Sequence, residues 1–274
     1  MERKITNKVT GHATQDGAGV KLVRVLSRGT VKDYDPFLML DSFDSKDPSD
    51  YIAGFPMHPH RGIETITYMS TGEVAHQDSI GNKGVIRDGE VQWMTGGSGI
   101  LHEEMPKPVP HMLGVQIWLN LPQKYKMTEP DYNALTAKEI VDIPVEGGKL
   151  RLISGKYGEY EGFQGKYVPA NFYSIQLDAN AGLSLDVPPS YNAILFTLRG
   201  DAYIAGELVE EKTAVTTSEG ETLTVKAADK SIELLFLSAP RLNESVAWGG
   251  PIVMNTQDEL QQAFSELRQG NFIK

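Results

Sequence analysis

Turn residues cut this chain into short apolar and β-branched runs, and that punctuation confines it to a β architecture. Gly81-Asn82-Lys83-Gly84 and Asp88-Gly89 read as hairpin turns, and Gly96-Gly97-Ser98-Gly99 as a turn that needs positive backbone angles. Residues 20–26, 37–41, 63–69 and 91–94 read as strands. Across residues 113–121, Val115, Ile117 and Leu119 alternate with Gln116, Trp118 and Asn120, the period of a strand. Many short strands closed by glycine and proline predict an all-β sandwich or barrel.

Between residues 122 and 143 the texture turns polar, with Lys124, Lys126, Glu129-Pro130, Lys138 and Glu139, and this stretch reads as a connector. Strand patterning then resumes near residues 149–154, 172–177, 193–198, 202–204, 222–226 and 232–237. The turns at 182–188 and 199–201 repeat the style of the first half, so the chain reads as a divergent internal duplication, two barrels in tandem. The predicted boundaries are 1–133 and 145–274. The second barrel ends in a helix that opens on Thr256-Gln257-Asp258-Glu259, a capping box. Leu260, Ala263, Phe264 and Leu267 then form one apolar stripe, and Gly270 is placed to end the helix. Its expected task is to cover a barrel.

Two residue pairs carry the chemistry. In an extended strand, side chains at i and i+2 share a face, so His58 projects with His60, and His102 with Glu104. Pro59 fixes its own backbone angle and drives His58 into the extended region. Two such strands can close three imidazoles and one carboxylate around a divalent metal. A lone histidine is ordinarily a hydrogen-bonded structural residue; the second pair, on a second strand-like segment, is what favours a metal. The chain has no cysteine, so nitrogen and oxygen donors are all it can offer a metal. His76 and Asp78 form another same-face pair that can replace one of the four ligands, although hydrogen bonding beside the site is their ordinary reading. His12 and His111 read as structural.

Other motifs fail. His102-Glu103-Glu104-Met105-Pro106 starts like a zinc-protease helix but has proline where the second histidine belongs. No Gly-Lys-Ser/Thr follows Gly96–Gly99, so it is no phosphate loop. Ser98 lacks the later glycine of a nucleophile elbow, since Ile100 stands there. A net charge of −10 argues against a broad nucleic-acid-binding face. The first residues lack the apolar core of a secretory signal and no apolar run is long enough to span a bilayer, so a soluble cytoplasmic protein is expected.

The runs Phe55-Pro56-Met57-His58-Pro59-His60-Arg61-Gly62-Ile63-Glu64-Thr65, Gln92-Trp93-Met94-Thr95 and Gly99-Ile100-Leu101-His102-Glu103-Glu104-Met105-Pro106 closely resemble the pirin family of bicupins. Asp35-Pro36-Phe37-Leu38 and Gly249-Gly250-Pro251-Ile252-Val253-Met254-Asn255-Thr256 resemble its other recurrent segments, so the likeness covers essentially the whole chain. The resemblance implies two tandem cupin (jelly-roll) β-barrels with one metal, usually iron, in the N-terminal barrel. It carries the metal-ligand role to His58, His60, His102 and Glu104. Many other cupins use the glutamate after His-x-His, and Glu64 shares the parity of His58 and His60; the pirin pattern favours Glu104 instead.

The activity implied is a quercetin 2,3-dioxygenase-like one, opening a flavonol-like aromatic with O2 on Fe(II); on chemical grounds Glu104 is then the expected catalytic base, given a weak bond to the metal. The donor set also accepts Mn, Ni, Cu or Zn. The alternative implied by the same family is a metal-dependent regulatory protein that acts through a protein partner. No metal is expected in the C-terminal barrel, because no histidine follows His111.

Overall fold

The computed structural model describes all 274 residues, and the predicted β architecture is what it shows. The chain forms two compact units. In the unit that holds the histidine pairs, a seven-stranded sheet runs in the order Asp131–Leu135, Val91–Thr95, Ile63–Thr71, Met112–Asn120, Phe37–Ser45, Val20–Leu26, His12–Asp16. A four-stranded sheet runs Phe55–His60, Ile100–Pro106, Val74–Asp78, Lys83–Ile86. Val20, Leu22, Phe43 and Met69 of the larger sheet pack with Val74 and Ile86 of the smaller in one buried cluster. That is how two half-apolar sheets hide their inner faces. Gly97 and Gly99 take the positive backbone angles expected of the turn before His102 (φ +47° and +141°).

The duplication is visible in the second unit, which repeats seven strands plus four. Its larger sheet is ordered Ile5–Thr10, Thr213–Thr217, Tyr191–Arg199, Ile232–Pro240, Asn171–Leu177, Gly148–Ser154, Val141–Val145. Its smaller sheet is ordered Gly182–Asp186, Thr222–Ala227, Ala202–Ile204, Glu207–Val209.

The boundaries 1–133 and 145–274 do not describe these units, because each takes a piece from the far end of the chain. One comprises Met1–His12, Gly29–Asp35 and Ala137–Arg241; the other comprises Ala13–Arg28, Pro36–Thr136 and Leu242–Lys274. Pairing explains the first exchange: Ile5–Thr10 is the edge partner of Thr213–Thr217. The buried Tyr34 hydroxyl donates to the Ala214 carbonyl at 3.1 Å. Contacts made at Arg61 explain the second. The helix Gln257–Gln269 has its capping box formed, with the Thr256 side chain accepting from Glu259 N–H and the Glu259 side chain accepting from Thr256 N–H. Its buried Leu260 and Ala263 cluster with Ala247, Ile252 and Met254, all within the histidine-bearing unit. The helix thus packs on its own hairpin, and Arg61, which bridges to Ile252 and pairs with Glu266 at 2.8 Å, ties both to the first barrel. No helix is long and apolar enough to cross a membrane.

Candidate metal centre

Strand register sets the site. Ile100–Pro106 pairs antiparallel with Phe55–His60, placing His102 opposite His58 and Ile100 opposite His60. Along Ile100–Pro106, Ile100, His102, Glu104 and Pro106 are buried, while Leu101, Glu103 and Met105 between them are only partly so. Glu104 therefore shares the inward face with His102, and Glu103 is out of phase. The imidazoles of His58, His60 and His102 close on one another, with ring centroids 4.4–5.0 Å apart. Their candidate ligand nitrogens all lie within 4.8 Å.

Hydrogen bonding orients two of the rings. His58 Nδ1 lies 2.9 Å from the Pro56 carbonyl and His60 Nδ1 lies 3.1 Å from the Pro251 carbonyl. A carbonyl only accepts, so each Nδ1 carries its hydrogen and each Nε2 presents a bare lone pair. Those two Nε2 atoms stand 3.1 Å apart. Two lone pairs that face each other repel unless something positive lies between them. Metal–nitrogen bonds of about 2.1 Å set adjacent ligand atoms about 3 Å apart, which suits this spacing. His102 completes the case. It is wholly buried, and neither of its ring nitrogens has a hydrogen-bond partner in the protein. An orphaned pair of buried polar atoms is costly, and a metal bond to one of them relieves it.

Burial also fixes protonation. It pushes His60 down to about 3 and His102 well below the ordinary imidazole value, with neighbouring histidines adding to both shifts. Both rings are neutral at physiological pH, the form that binds metal. The residues present fit a divalent transition ion.

Glu104 occupies a different environment. It is 3% exposed and is not part of the tight histidine group. Oε2 accepts from Gln116 Nε2 at 2.7 Å, and Oε1 lies 2.7 Å from the Thr67 hydroxyl and 3.3 Å from Gln92 Nε2. Thr67, Gln92 and Gln116 are cross-strand neighbours in the larger sheet, Gln116 opposite Thr67 and Thr67 opposite Gln92. Sequence reasoning missed this polar row. The available signal was polar residues at strand positions, namely Gln116 in 113–121 and Gln92 beside Trp93.

His76 and Asp78 hydrogen-bond each other at 3.1 Å, and the His76 ring stacks on Tyr132 with centroids 4.5 Å apart. Asp78 also accepts from the backbone of Ile80 and Asn82, the hydrogen-bonding role considered for it. Glu64 is buried and accepts from the Thr95 hydroxyl at 2.9 Å, outside the histidine group. His111 pairs with Asp44 at 2.7 Å, and His12 is exposed.

A cavity of about 710 Å³ opens over the site, lined by His58, His60 and Glu104. Phe43, Phe55, Trp118 and Trp248 give it aromatic walls, with the two indoles 5.6 Å apart. Its polar wall holds Arg24, which donates from Nε and Nη2 to Asp41 at 2.9 and 2.6 Å and from Nη2 to Asp16 at 2.6 Å. Cavities of this size with apolar walls and a few converging polar groups are the usual form of small-molecule sites.

Residues 19–119 match the family model described as Pirin, and residues 172–273 match the model described as the Pirin C-terminal cupin domain. A pirin-like protein of Caulobacter vibrioides is 40% identical over 98% of this chain and 99% of its own length. A crystal structure described as quercetin 2,3-dioxygenase from Acinetobacter baumannii superposes with a TM-score of 0.93 at 33% identity, covering 99% of both chains. The bacterial pirin YhhW of Escherichia coli, solved in complex with nickel(II), shares the fold at 19% identity, with a TM-score of 0.67 over 86% of this chain and 99% of its own.

Proposed function

This chain belongs to the pirin family, and we propose that its first barrel is an iron-dependent dioxygenase that opens a flavonol-like ring with O2. The observation that carries this reading is the convergence of His58, His60 and His102, the last two buried, beside an aromatic-walled cavity of about 710 Å³ that His58 and His60 line. The similarity to a structure described as a quercetin 2,3-dioxygenase supports the substrate class.

In this reading His58, His60, His102 and Glu104 hold Fe(II), and the same nitrogen and oxygen donors accept Mn, Ni, Cu or Zn. When bound, the metal supplies Lewis acidity toward a substrate hydroxyl and redox chemistry toward O2. Glu104 takes the proton of that hydroxyl. A carboxylate has roughly four lone-pair positions, and three side chains donate to or lie within reach of those of Glu104, leaving one, so Glu104 accepts the proton only by giving up its hold on the ion. Gln116 fixes the carboxylate plane through Oε2 and also lines the cavity, so it sets the direction from which a proton reaches Glu104. Phe43, Phe55, Trp118 and Trp248 hold a flat aromatic ligand by stacking and edge contacts and keep bulk water from the reacting atoms.

The test is to load the purified protein with Fe(II), add quercetin in air and follow loss of the flavonol absorbance. Turnover that His58→Ala abolishes is the expected result. A metal-loaded protein that leaves quercetin intact contradicts the dioxygenase and favours a regulatory protein that acts through a partner.

A further inference from the structure

Residues 60–62 and 251–253 of the histidine-bearing unit run side by side as a tight parallel seam. His60 Nδ1 faces the Pro251 carbonyl at 3.1 Å. Arg61 bridges to Ile252, with Val253 N–H donating to the Arg61 carbonyl at 3.1 Å. At Gly62 the backbone adopts φ +79°, and a Cβ there would lie 1.9 Å from the Val253 carbonyl oxygen. The approach is too close for any other residue.

Two buried basic side chains, Lys126 and Arg61, lock the seam. Lys126 Nζ donates to the carbonyls of Gly62 at 2.8 Å and Val253 at 3.0 Å, and to Asn120 Oδ1 at 2.5 Å, so each of its three N–H groups has an acceptor. The Arg61 guanidinium donates to the Ser98 and Phe272 carbonyls and to Glu266 Oε2, each at 2.7–2.8 Å, and lies over the Phe272 ring. Buried basic groups need such complete pairing; burial still brings Lys126 down to about 7.

His58 needs none of this, because its Nδ1 hydrogen goes to Pro56, two residues away on the same strand. His60 depends on a segment about 190 residues further along the chain.

We propose that this seam is a positioning device for His60: the Pro251 carbonyl, carried by a segment that Arg61, Gly62 and Lys126 grip at Ile252 and Val253, presets the Nδ1–H tautomer and aims Nε2 at the metal. Residues 250–272 are then part of the metal site, and not only a cover for the barrel. This rests on the reading of the three histidines as metal ligands. The physical reason is general, since a ligating imidazole whose other nitrogen is anchored is held in tautomer and orientation, and loss of such an anchor costs about 10- to 100-fold in metal affinity.

Zn(II) is the probe, being diamagnetic and compatible with the donor set. Its dissociation constant is measured by chelator competition for the wild type, Gly62→Ala and Lys126→Met, with circular dichroism to select folded variants. Glu266→Gln, which keeps the shape of the Arg61 partner, serves if both of the others unfold. Imidazole proton–nitrogen NMR of the metal-free protein reads each tautomer. The expected result is an affinity loss of about tenfold or more, with the His60 Nδ1–H signal lost and that of His58 retained. Merely structural loosening would not single out one histidine. Wild-type affinity in a folded seam variant, or a wild-type His60 protonated on Nε2, overturns the proposal. A wild type that binds no Zn(II) overturns instead the metal reading beneath it.

Discussion

The two barrels repeat one strand plan, seven plus four, and fill it with opposite chemistry. The second is packed with Leu152, Tyr173, Ile175, Leu195, Leu234 and Phe236, with Tyr173 stacked on Phe236 at 5.0 Å. The first replaces part of that apolar filling with His60, His102, Glu104, Thr67, Gln92 and Gln116, all buried. Buried polar groups stabilise little on balance and cost heavily when unpaired. A barrel that keeps them, with both nitrogens of His102 lacking partners in the protein, is arranged for a ligand. The same topology thus holds a packed apolar core in one half and a buried polar cluster with three converging histidines in the other. Fold alone does not assign function.

Substitutions at Glu104, Glu64 and Glu103 of the first barrel separate site from scaffold. Glu104→Gln keeps the size and one acceptor oxygen but removes the charge, and should weaken metal binding on the order of 100-fold by chelator competition, near the upper end of what metal-site partners contribute. Similar affinity in wild type and variant would remove Glu104 from the site.

Glu64→Gln should act on stability instead. Burial pushes the Glu64 carboxyl up to about 7, although Thr95 and Trp93 side chains oppose the shift. Between its ordinary value and about 7 the folded protein holds a proton that the unfolded chain releases. Wild-type stability therefore falls as pH rises through that window and levels off above it. The variant should lack this decline, a difference of about 3 kcal/mol between urea unfolding at pH 4.5 and pH 7.5. Parallel pH profiles would show that Glu64 ionises freely in the fold. Glu103→Gln, on the half-exposed face, should change metal affinity less than about twofold by strand parity. A larger loss there than in Glu104→Gln would mean the register is wrong.

Much of this was legible in the sequence because period-two geometry is local. His58-Pro59-His60 and His102-Glu103-Glu104 declare their faces without knowledge of any partner strand, and Thr256 with Glu259 declares a helix start. What was not legible depends on distant pairing. Ile5–Thr10 looks unremarkable until Thr213–Thr217 lies beside it. Asp131–Leu135 and Val141–Val145 are partly exposed edge strands with no clean alternation, so they vanished into a polar connector. Lys126 belonged to the same polar stretch, yet it is 2% exposed, because its acceptors come from Gly62, Asn120 and Val253. The anchoring of His60 on Pro251 spans 191 positions, and no local pattern encodes it.

The central claim is that one barrel holds a metal through its histidines and the other holds none. Metal analysis of the full-length protein, reconstituted with Fe(II) under anaerobic conditions and desalted, tests it directly beside the His58→Ala/His60→Ala double variant. About one tightly held ion per chain, lost in the double variant, is the expected result. Two ions per chain, or one that survives the double substitution, would contradict it.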